Sequence, residues 1–267
     1  MLLPETEKRM TNLRTRSAAW EPVPGNPGLR FRYYVATDIG AVRATNEDNF
    51  IVQPEMGLFA VADGMGGHAG GEVASLLTSE QMRKVIGALE GEAASTADPT
   101  IEVTSAGISE ATLRAQEAEL ILNVGDSRAY RYADKALMQL TEDHTTEGQV
   151  EVGGVTRMRR YLTRTVGGSK GTASPPDCFY LRCYPHDRFL LCTDGIWGKL
   201  LDEQLIGCLR MPDPKDACAQ LIKGAIRAGS TDNLTALIVD LMATPEERSE
   251  EEGSGESVDP TILSMGE

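Results

Sequence analysis

The sequence predicts a protein of the α+β class, built from several short strands and a smaller number of amphipathic helices. Segments of strand length, either apolar or alternating, recur at 31–37, 50–52, 58–62, 120–124, 128–132, 179–183, 187–193 and 235–241. Apolar residues with helical spacing occupy 72–90, 202–210 and 214–228, and a further helix is predicted at about 101–118. Several of the strands end at an aspartate beside a small residue, and the functional interpretation depends on this pattern.

The individual elements follow from local patterns, taken in chain order. The segment 31–37 alternates as a half-buried strand does, whereas 58–62 is a continuous apolar run that suits a buried strand. The helix at 72–90 then follows a glycine-rich turn, and the stretch ending at Pro99 breaks its spacing. The positions that carry the spacing of this helix are Val73, Leu76, Leu77, Val85 and Leu89.

Length and charge limit the possible functions. With 267 residues the natural expectation is one domain of the larger sort with flexible ends. Forty acidic residues against 26 basic ones give a net charge of −14, which argues against a nucleic acid or an anionic membrane as partner. The same excess is compatible with a carboxylate site that binds cations.

Cysteine and histidine usage indicates reduced thiols rather than a zinc site. The 5 cysteines form no CxxC pair, and the 3 histidines stand in no HExxH or Cys/His cluster. An odd number of cysteines fits the reducing cytoplasm. No apolar run approaches the ~20 residues of a transmembrane helix, so no membrane association is expected.

Composition divides the chain into three parts. Residues 1–30 are polar and contain several prolines, which predicts a flexible N-terminal arm. Residues 31–243 carry all the predicted elements and form one domain. Residues 244–267 are dominated by charge, Ser and Gly, which predicts an acidic disordered tail.

Four aspartates at strand ends carry the main functional signal. An aspartate beside a small residue is by itself an ordinary turn signal. Four such carboxylates without a histidine partner instead favour hard, oxygen-seeking ions, Mg²⁺ or Mn²⁺. Two ions roughly 3.5–4 Å apart can lower the pKa of a shared water and stabilise a phosphoryl displacement. The four are Asp63 before Gly64, Asp126 before Ser127, Asp194 before Gly195, and Asp232 before Asn233.

A second signal is Arg43-Ala-Thr-Asn-Glu-Asp48. The arginine can offer a bidentate fork to a phosphate, while Glu47 and Asp48 orient metal-bound waters. The alternative is an exposed turn of mixed charge. The four aspartates that precede or follow strands favour the phosphate-binding interpretation, because a metal site would place a phosphate near this segment.

The glycine-rich turn after Asp63 also matches a dinucleotide fingerprint, Gly64-x-Gly66-x-x-Ala69. We disfavour that reading because Asp63 would direct a negative charge at the pyrophosphate and the later carboxylates would go unexplained. His68 in this turn is either a general acid or simply exposed. The arginines between Arg157 and Arg164 either contact a phosphorylated protein or form a solvated helix face.

In order, these segments resemble the metal-dependent (PPM) protein phosphatase family, the type 2C Ser/Thr phosphatases, in its bacterial form. The resemblance spans about residues 31–241. Its motifs are Thr37-Asp-Ile-Gly-x-x-Arg-x-x-Asn-Glu-Asp48, Val61-Ala-Asp-Gly-Met-Gly-Gly-His-Ala-Gly-Gly-Glu72, Asn123-Val-Gly-Asp-Ser-Arg-Ala-Tyr130, Leu140-Thr-x-Asp-His-Thr145, Leu162-Thr-Arg-x-x-Gly167, Leu190-Leu-Cys-Thr-Asp-Gly195 and Ser230-Thr-Asp-Asn-Leu-Thr235.

The resemblance implies a four-layer α-β-β-α sandwich of two antiparallel sheets flanked by helices, with two Mn²⁺ or Mg²⁺ ions at one end. It implies hydrolysis of phosphoserine and phosphothreonine on proteins by a metal-bridged water, opposing a cognate Ser/Thr kinase. The implied site residues are Asp63 bridging both ions, the Gly64 carbonyl, Asp194, Asp232, Asp48 through a water with Glu47 nearby, Arg43 on the substrate phosphate, and Asp126 with Asp194 at a third, weaker site.

Three departures from the family pattern affect the expected activity. Some relatives have a histidine acid where this chain has Met65, so the general acid stays unassigned. The flap segment after Asp143-His-Thr145 is short, which affects substrate access. The family strand that pairs with 120–124 is expected to be missing near 104–119. Either residues near 101–106 take its place, or the domain is weakened by unpaired backbone or pairs with something else.

These departures leave alternatives to an active protein phosphatase. The missing strand motivates a phosphatase-fold regulatory or binding protein with little turnover. A hydrolase of small phosphoesters is the third possibility.

Overall fold

A computed structural model describes residues 13–64, 108–114, 119–165 and 177–245. The strands are β1 (Arg14–Val23), β2 (Asn26–Asp38), β3 (Asn49–Gln53), β4 (Leu58–Gly64), β5 (Ile108–Arg114), β6 (Glu119–Val124), β7 (Arg128–Ala133), β8 (Ala136–Gln139), β9 (Thr145–Val152), β10 (Val155–Leu162), β11 (Asp177–Leu181), β12 (Arg188–Cys192) and β13 (Leu234–Ala243). The helices are α1 (Asp194–Trp197), α2 (Asp202–Leu209) and α3 (Pro214–Arg227), and a 3-10 turn covers Pro54–Met56.

Two antiparallel sheets pack face to face and confirm the predicted sandwich. One sheet has the order β1-β2-β13-β12-β7-β8 and the other β11-β6-β5-β4-β3. Alternate apolar residues of their inner faces form a continuous core, as sandwich packing requires. Phe31 of β2 and Phe59 of β4 join the sheets edge to face, with 5.3 Å between ring centroids.

Helices α2 and α3 cover the outer face of the six-stranded sheet. The apolar stripe of α3, including Leu221 and Ile222, packs against Leu190 and Ile238 in a second buried cluster. Helix α3 begins where the sequence predicts, because the side chain of Asp213 accepts a hydrogen bond from the Lys215 backbone N–H at 2.8 Å. The helix predicted at 72–90 lies outside the described residues.

Strand β5 corrects two expectations about the segment near 104–119. It lies between β4 and β6 and pairs with both, Ala60 opposite Thr112 and Thr112 opposite Leu122. The expected missing strand is therefore present, and the helix predicted at 101–118 is wrong at residues 108–114. Glu, Ala, Leu and Arg in this segment favour a helix locally, but pairing with two neighbouring strands outweighs that preference.

The N-terminal segment corrects the predicted arm. Strand β1 pairs with β2 along the edge of the larger sheet, so residues 14–30 belong to the domain. Arg14 Nη2 donates to the Asp48 carbonyl at 3.1 Å and Arg16 Nη1 to the Val52 carbonyl at 2.9 Å. Pro22 is tolerated because β1 is an edge strand, and Pro24 lies in the turn between β1 and β2.

The two ends of the chain complete the description. Residues 1–12 and 246–267 lie outside the described part, so the acidic disordered tail stays a prediction. Among the described helices, none combines the length and apolar character that a membrane crossing needs.

Candidate functional site

A single cleft of 1110 Å³ collects most of the predicted site residues. Both sheets contribute to it, because β4 ends at Asp63 and Gly64 while β12 and β13 flank Asp194 and Asp232. Five predicted residues and the arginine line its wall: Arg43, Asp63, Gly64, Asp126, Asp194 and Asp232. Glu47 and Asp48 are not among the lining residues.

Antiparallel pairing explains why Asp194 and Asp232 meet although they are far apart in sequence. Strand β12 ends with Cys192 opposite Ala236 of β13. Asp194, which follows β12, and Asp232, which precedes β13, therefore lie at the same edge of the sheet. The Thr193 N–H also donates to the Thr235 carbonyl at 3.2 Å. The register thus brings both carboxylates into the wall of one cleft.

Burial and mutual repulsion raise the pKa values of the cleft carboxylates. Burial raises the pKa of Asp63 well above its ordinary value, and the charges of Asp48, Asp194, Asp232 and Asp126 raise it further. Burial also raises the pKa of Asp194 to about 6, with Asp126 and Asp232 as the next causes. An array of carboxylates that resist ionisation together is suited to cations that neutralise them.

Asp48 lies behind the cleft wall, almost fully buried. Burial raises its pKa to about 7, although hydrogen bonds from two threonines act in the opposite direction. Thr193 Oγ1 donates to Asp48 Oδ2 at 2.8 Å and Thr235 Oγ1 donates to the same oxygen at 2.7 Å. These two contacts fix the orientation of the Asp48 carboxylate.

The donor set fits hard divalent cations. Asp194 Oδ1 is buried without a hydrogen-bond partner, which is costly unless a cation or another donor reaches it. Carboxylate and carbonyl oxygens are the ligands that Mg²⁺ and Mn²⁺ prefer. Within the described ranges, no three acidic side chains already form a ready coordination group, so side-chain adjustment would accompany binding.

Arg43 lies in the loop between β2 and β3 and contacts one of the aspartates. Its Nη2 donates to Asp232 Oδ2 at 2.6 Å, and this hydrogen bond is the main cause that raises the pKa of Arg43. The side chains of Arg43 and Asp232 remain 43% and 33% exposed, so both can still reach a ligand. Glu47 adds a nearby negative charge.

Asn233 anchors this loop, and the sequence interpretation gave it no role. Its Oδ1 accepts from the Glu47 backbone N–H at 2.8 Å, while its Nδ2 donates to the carbonyls of Ile39 and Thr45, both at 2.9 Å. The residue that follows Asp232 therefore positions Arg43 and Glu47. The sequence signal that could have identified Asn233 as a site residue is its position directly after Asp232.

His144 positions the turn that carries Asp126. Its Nδ1 accepts from the Gly125 backbone N–H at 3.0 Å, which leaves Nε2 to donate to Asp177 at 2.9 Å. Gly125 has φ of 105°, a conformation that favours glycine. The buried indole of Trp197 also donates to the Asp126 carbonyl, at 2.9 Å.

Strands β9 and β10 form a separate two-stranded hairpin that lines the cleft. The run Arg157–Arg160 lies on β10, so the helix-face alternative is wrong. The base of the hairpin contacts the site through Arg160, which lies 3.8 Å from Asp143 and 5.2 Å from the ring centroid of Trp197. Asp143 in turn accepts hydrogen bonds from Nε and Nη2 of Arg128, at 2.8 and 2.7 Å.

Met65 and His68, the residues that bear on the general acid, lie outside the described residues. The acid therefore stays unassigned.

Comparison with known proteins places the chain among phosphatases. No protein-family model matches it. Serine/threonine protein phosphatase PstP of Mycobacterium tuberculosis is 32% identical in an alignment of length 239 that covers 80% of this chain and 46% of PstP. Serine/threonine phosphatase stp of Listeria monocytogenes is 30% identical in an alignment of length 244 that covers 79% of this chain and 96% of stp. The chain belongs to the type 2C family of Ser/Thr protein phosphatases.

A solved relative of this type 2C chain bears on the metal. The catalytic domain of PstP in complex with 2 manganese ions matches with a TM-score of 0.62 and 28% identity, over 80% of this chain and 99% of that domain. The chain spans about half the length of full PstP, 46%. The recognised family and fold agree with those expected from the motifs.

Proposed function

We propose that this type 2C chain hydrolyses phosphoserine and phosphothreonine on proteins with the help of two divalent ions, Mn²⁺ or Mg²⁺. The observation that supports it most is the convergence of Asp63, Asp194 and Asp232 from both sheets in one cleft beside Arg43. A cleft of 1110 Å³ admits a phosphorylated side chain with its flanking backbone. The PstP catalytic domain, a relative, binds manganese.

Each cleft residue receives a role in this proposal. Asp63, the Gly64 carbonyl, Asp194 and Asp232 would hold the two ions, with Asp48 and Glu47 orienting their outer ligands. Asp126 and Asp194 would hold a third, weaker ion. When bound, the ions supply positive charge that lowers the pKa of a water and stabilises the oxygens of the transferred phosphoryl group.

The protein's own groups orient the substrate. The guanidinium of Arg43 would exchange part of its contact with Asp232 for two oxygens of the phosphate, since a planar fork matches that geometry. Asn233 holds the backbone of this loop, so Arg43 approaches the phosphate from a fixed direction. Thr193 and Thr235 keep Asp48 in one orientation as the charges of the site change.

The test is Mn²⁺-dependent hydrolysis of p-nitrophenyl phosphate and of a phosphothreonine peptide. Asp63→Asn and Asp232→Asn are each expected to lower kcat/KM at least ~100-fold, because each removes a charged ligand from the metal pair. Asp134→Asn is the matched control, since Asp134 is exposed at φ of 50°, a conformation that asparagine adopts equally well. Absence of turnover from folded wild-type protein in saturating Mn²⁺ would refute the proposal.

The rival functions lose support or make different predictions. A regulatory protein with little turnover was motivated by a missing strand, and β5 occupies that place. A hydrolase of small phosphoesters predicts faster turnover of nucleotides and sugar phosphates than of phosphopeptides. Comparing the three substrate classes on the same enzyme preparation distinguishes these functions.

We further infer a cytoplasmic enzyme that opposes a cognate Ser/Thr kinase. Free thiols at Cys183, Cys192, Cys208 and Cys218 support a reducing compartment. A kinase must supply the phosphorylated proteins that such an enzyme consumes. Phosphoproteome comparison of cells with and without the chain would identify those sites.

A further inference from the structure

The hairpin β9–β10 presents one edge of β10 to the cleft. Five consecutive residues of β10, from 158 to 162, line the same cleft as the aspartates. Successive side chains of a strand point to opposite faces, so a cleft that meets all five must lie along the edge of the strand. Among the described residues, β10 pairs with β9 alone, so this edge has no strand partner there.

The hairpin register identifies which backbone groups the edge offers. Gly153 and Gly154, with φ of 61° and 77°, form a two-residue loop between Val152 and Val155. Residues that flank such a loop form a hydrogen-bonded pair, and pairs alternate from there. The Thr163 N–H donates to the His144 carbonyl at 2.8 Å, as this alternation requires.

The remaining residues of β10 direct their backbone outward. In non-hydrogen-bonded pairs the N–H and C=O groups point away from the partner strand. On this strand they belong to Thr156, Met158, Arg160 and Leu162, and the last three line the cleft. The edge therefore offers a ladder of alternate donors and acceptors directly beside the aspartates.

The side chains of β10 give this edge a charge preference. The strand carries three arginines and no acidic residue, and it is exposed almost throughout, in a protein of net charge −14. Arg159 and Arg160 both line the cleft. Arg160 contacts Asp143 and Trp197, whereas the guanidinium of Arg159 lies 5.9 Å from the Tyr161 ring centroid. Arg157 lies two residues away and does not line the cleft.

Charged residues on an edge strand also protect it from aggregation. That role accounts for Arg157, which is not among the residues that line the cleft. It does not account for an edge that lies along the proposed active site and offers its backbone there.

We propose that the cleft edge of β10 docks an extended segment of the phosphoprotein substrate, which adds to the hairpin as a third strand. Main-chain hydrogen bonds to Met158 and Arg160 would hold the segment, and Arg159 would select an acidic residue near the phosphorylated one. This proposal rests on the proposed phosphatase function. It adds a docking mode and a sequence preference that the metal site alone does not provide.

The decisive experiment measures kcat/KM of the wild-type enzyme with Mn²⁺ on a phosphothreonine peptide that is N-methylated at one position at a time. Strand addition predicts a period of two: methylation at alternate positions lowers kcat/KM by about tenfold, one lost hydrogen bond, and the intervening positions change little. The proposal is overturned if kcat/KM does not depend on the methylated position, or depends only on its distance from the phosphothreonine. Dimerisation in sedimentation that inhibits turnover would assign the edge to a second copy and also overturn it.

A pair of variants tests the charge preference. The ratio of kcat/KM for acidic-flanked over neutral-flanked peptides is expected to fall about threefold in Arg159→Ala, a magnitude typical of one exposed ion pair. Arg157→Ala on the same strand is the matched control and should leave the ratio unchanged. Equal effects of the two variants overturn the docking assignment. Peptide turnover with a flat profile refutes docking alone, whereas no turnover of any substrate refutes the phosphatase function as well.

Discussion

Arg43 Nη2 donates to Asp232 Oδ2 at 2.6 Å across 189 positions of the chain. One residue is proposed to bind the substrate phosphate and the other a metal ion. The contact therefore joins two functions in one ion pair, and each ligand would have to share or displace it. Asn233 keeps the two loops together, since it follows Asp232 and donates to the carbonyl of Thr45.

Replacing Arg43 with alanine should separate these functions. We expect kcat/KM on a phosphopeptide to fall about 30-fold, ~2 kcal/mol, because a charge-assisted fork to the phosphate is lost. Mn²⁺ affinity, measured by calorimetry, should stay equal or increase, since Asp232 loses a competing cation. Arg43→Lys keeps the charge without the planar fork, so its kcat/KM should lie between those of the wild type and Arg43→Ala. Weaker Mn²⁺ binding by Arg43→Ala would contradict this account.

Gly195, beside Asp194, is required for close approach of two loops. A Cβ at this position would lie 1.8 Å from the Asn233 carbonyl oxygen. Gly195→Ala should lower the free energy of unfolding by about 2–3 kcal/mol and reduce kcat/KM, because the loop bearing Asp232 must move. Urea unfolding and p-nitrophenyl phosphate hydrolysis measure the two effects.

Gly207 provides the comparison for Gly195. It lies inside α2 with nothing within 4 Å of its added Cβ. Gly207→Ala should stabilise the protein by about 0.5–1 kcal/mol, since alanine loses less backbone entropy in a helix. Equal losses of stability in both alanine variants would show that steric contact with Asn233 is not the cause.

The sequence predicted the strand ends of the site well. An apolar run followed by Asp-Gly is a local signal, and Asp63, Asp194 and Asp232 accordingly line one cleft. The roles of Thr193 and Thr235 were not predictable in the same way. Their hydroxyls meet at Asp48 only because β12 and β13 pair in one register, which no local pattern specifies.

The elements that were misjudged depend on distant partners. Strand β5 consists largely of residues that also suit a helix, and its pairing with β4 and β6 decides its structure. Strand β1 gains its place from pairing with β2 and from the contacts of Arg14 and Arg16 to backbone carbonyls. Composition alone describes neither the pairing nor those carbonyls, so this proline-bearing stretch predicts an arm although it forms a strand.

The clustered carboxylates predict a pH-dependent stability in the presence of EDTA. Folding raises the pKa of Asp48 to about 7 and that of Asp194 to about 6, from about 3.9 for an unperturbed aspartate. Their contribution to stability is therefore present below pH 4 and is lost as the pH rises through 6 and 7. From pH 5 to 7.5 the wild type should lose more unfolding free energy than Asp48→Asn, by on the order of 2 kcal/mol.

Urea unfolding at several pH values measures this difference. Asp134→Asn is the control and should follow the wild-type profile, because its side chain is exposed away from the cleft. Mn²⁺ at pH 7.5 should restore stability to the wild type, since an ion that binds only the folded state stabilises it. A wild-type profile parallel to that of Asp48→Asn would disprove carboxylate repulsion as the cause.

Arg188 and Asp240 form a buried ion pair that should govern stability without affecting the cleft. They pair across β12 and β13, and Arg188 Nη1 also donates to the Leu209 carbonyl at 2.7 Å, which attaches α2 to the sheet. Asp240→Asn should cost about 3–5 kcal/mol in urea unfolding, because Arg188, 8% exposed, keeps a buried charge without its carboxylate. Arg32→Gln, which removes a more exposed contact to the same carboxylate, should cost about 1 kcal/mol or less. Both variants should retain the wild-type kcat/KM while folded, since the ion pair lies at the opposite end of β12 from Asp194. A selective loss of activity in Asp240→Asn would contradict the separation of this ion pair from the cleft.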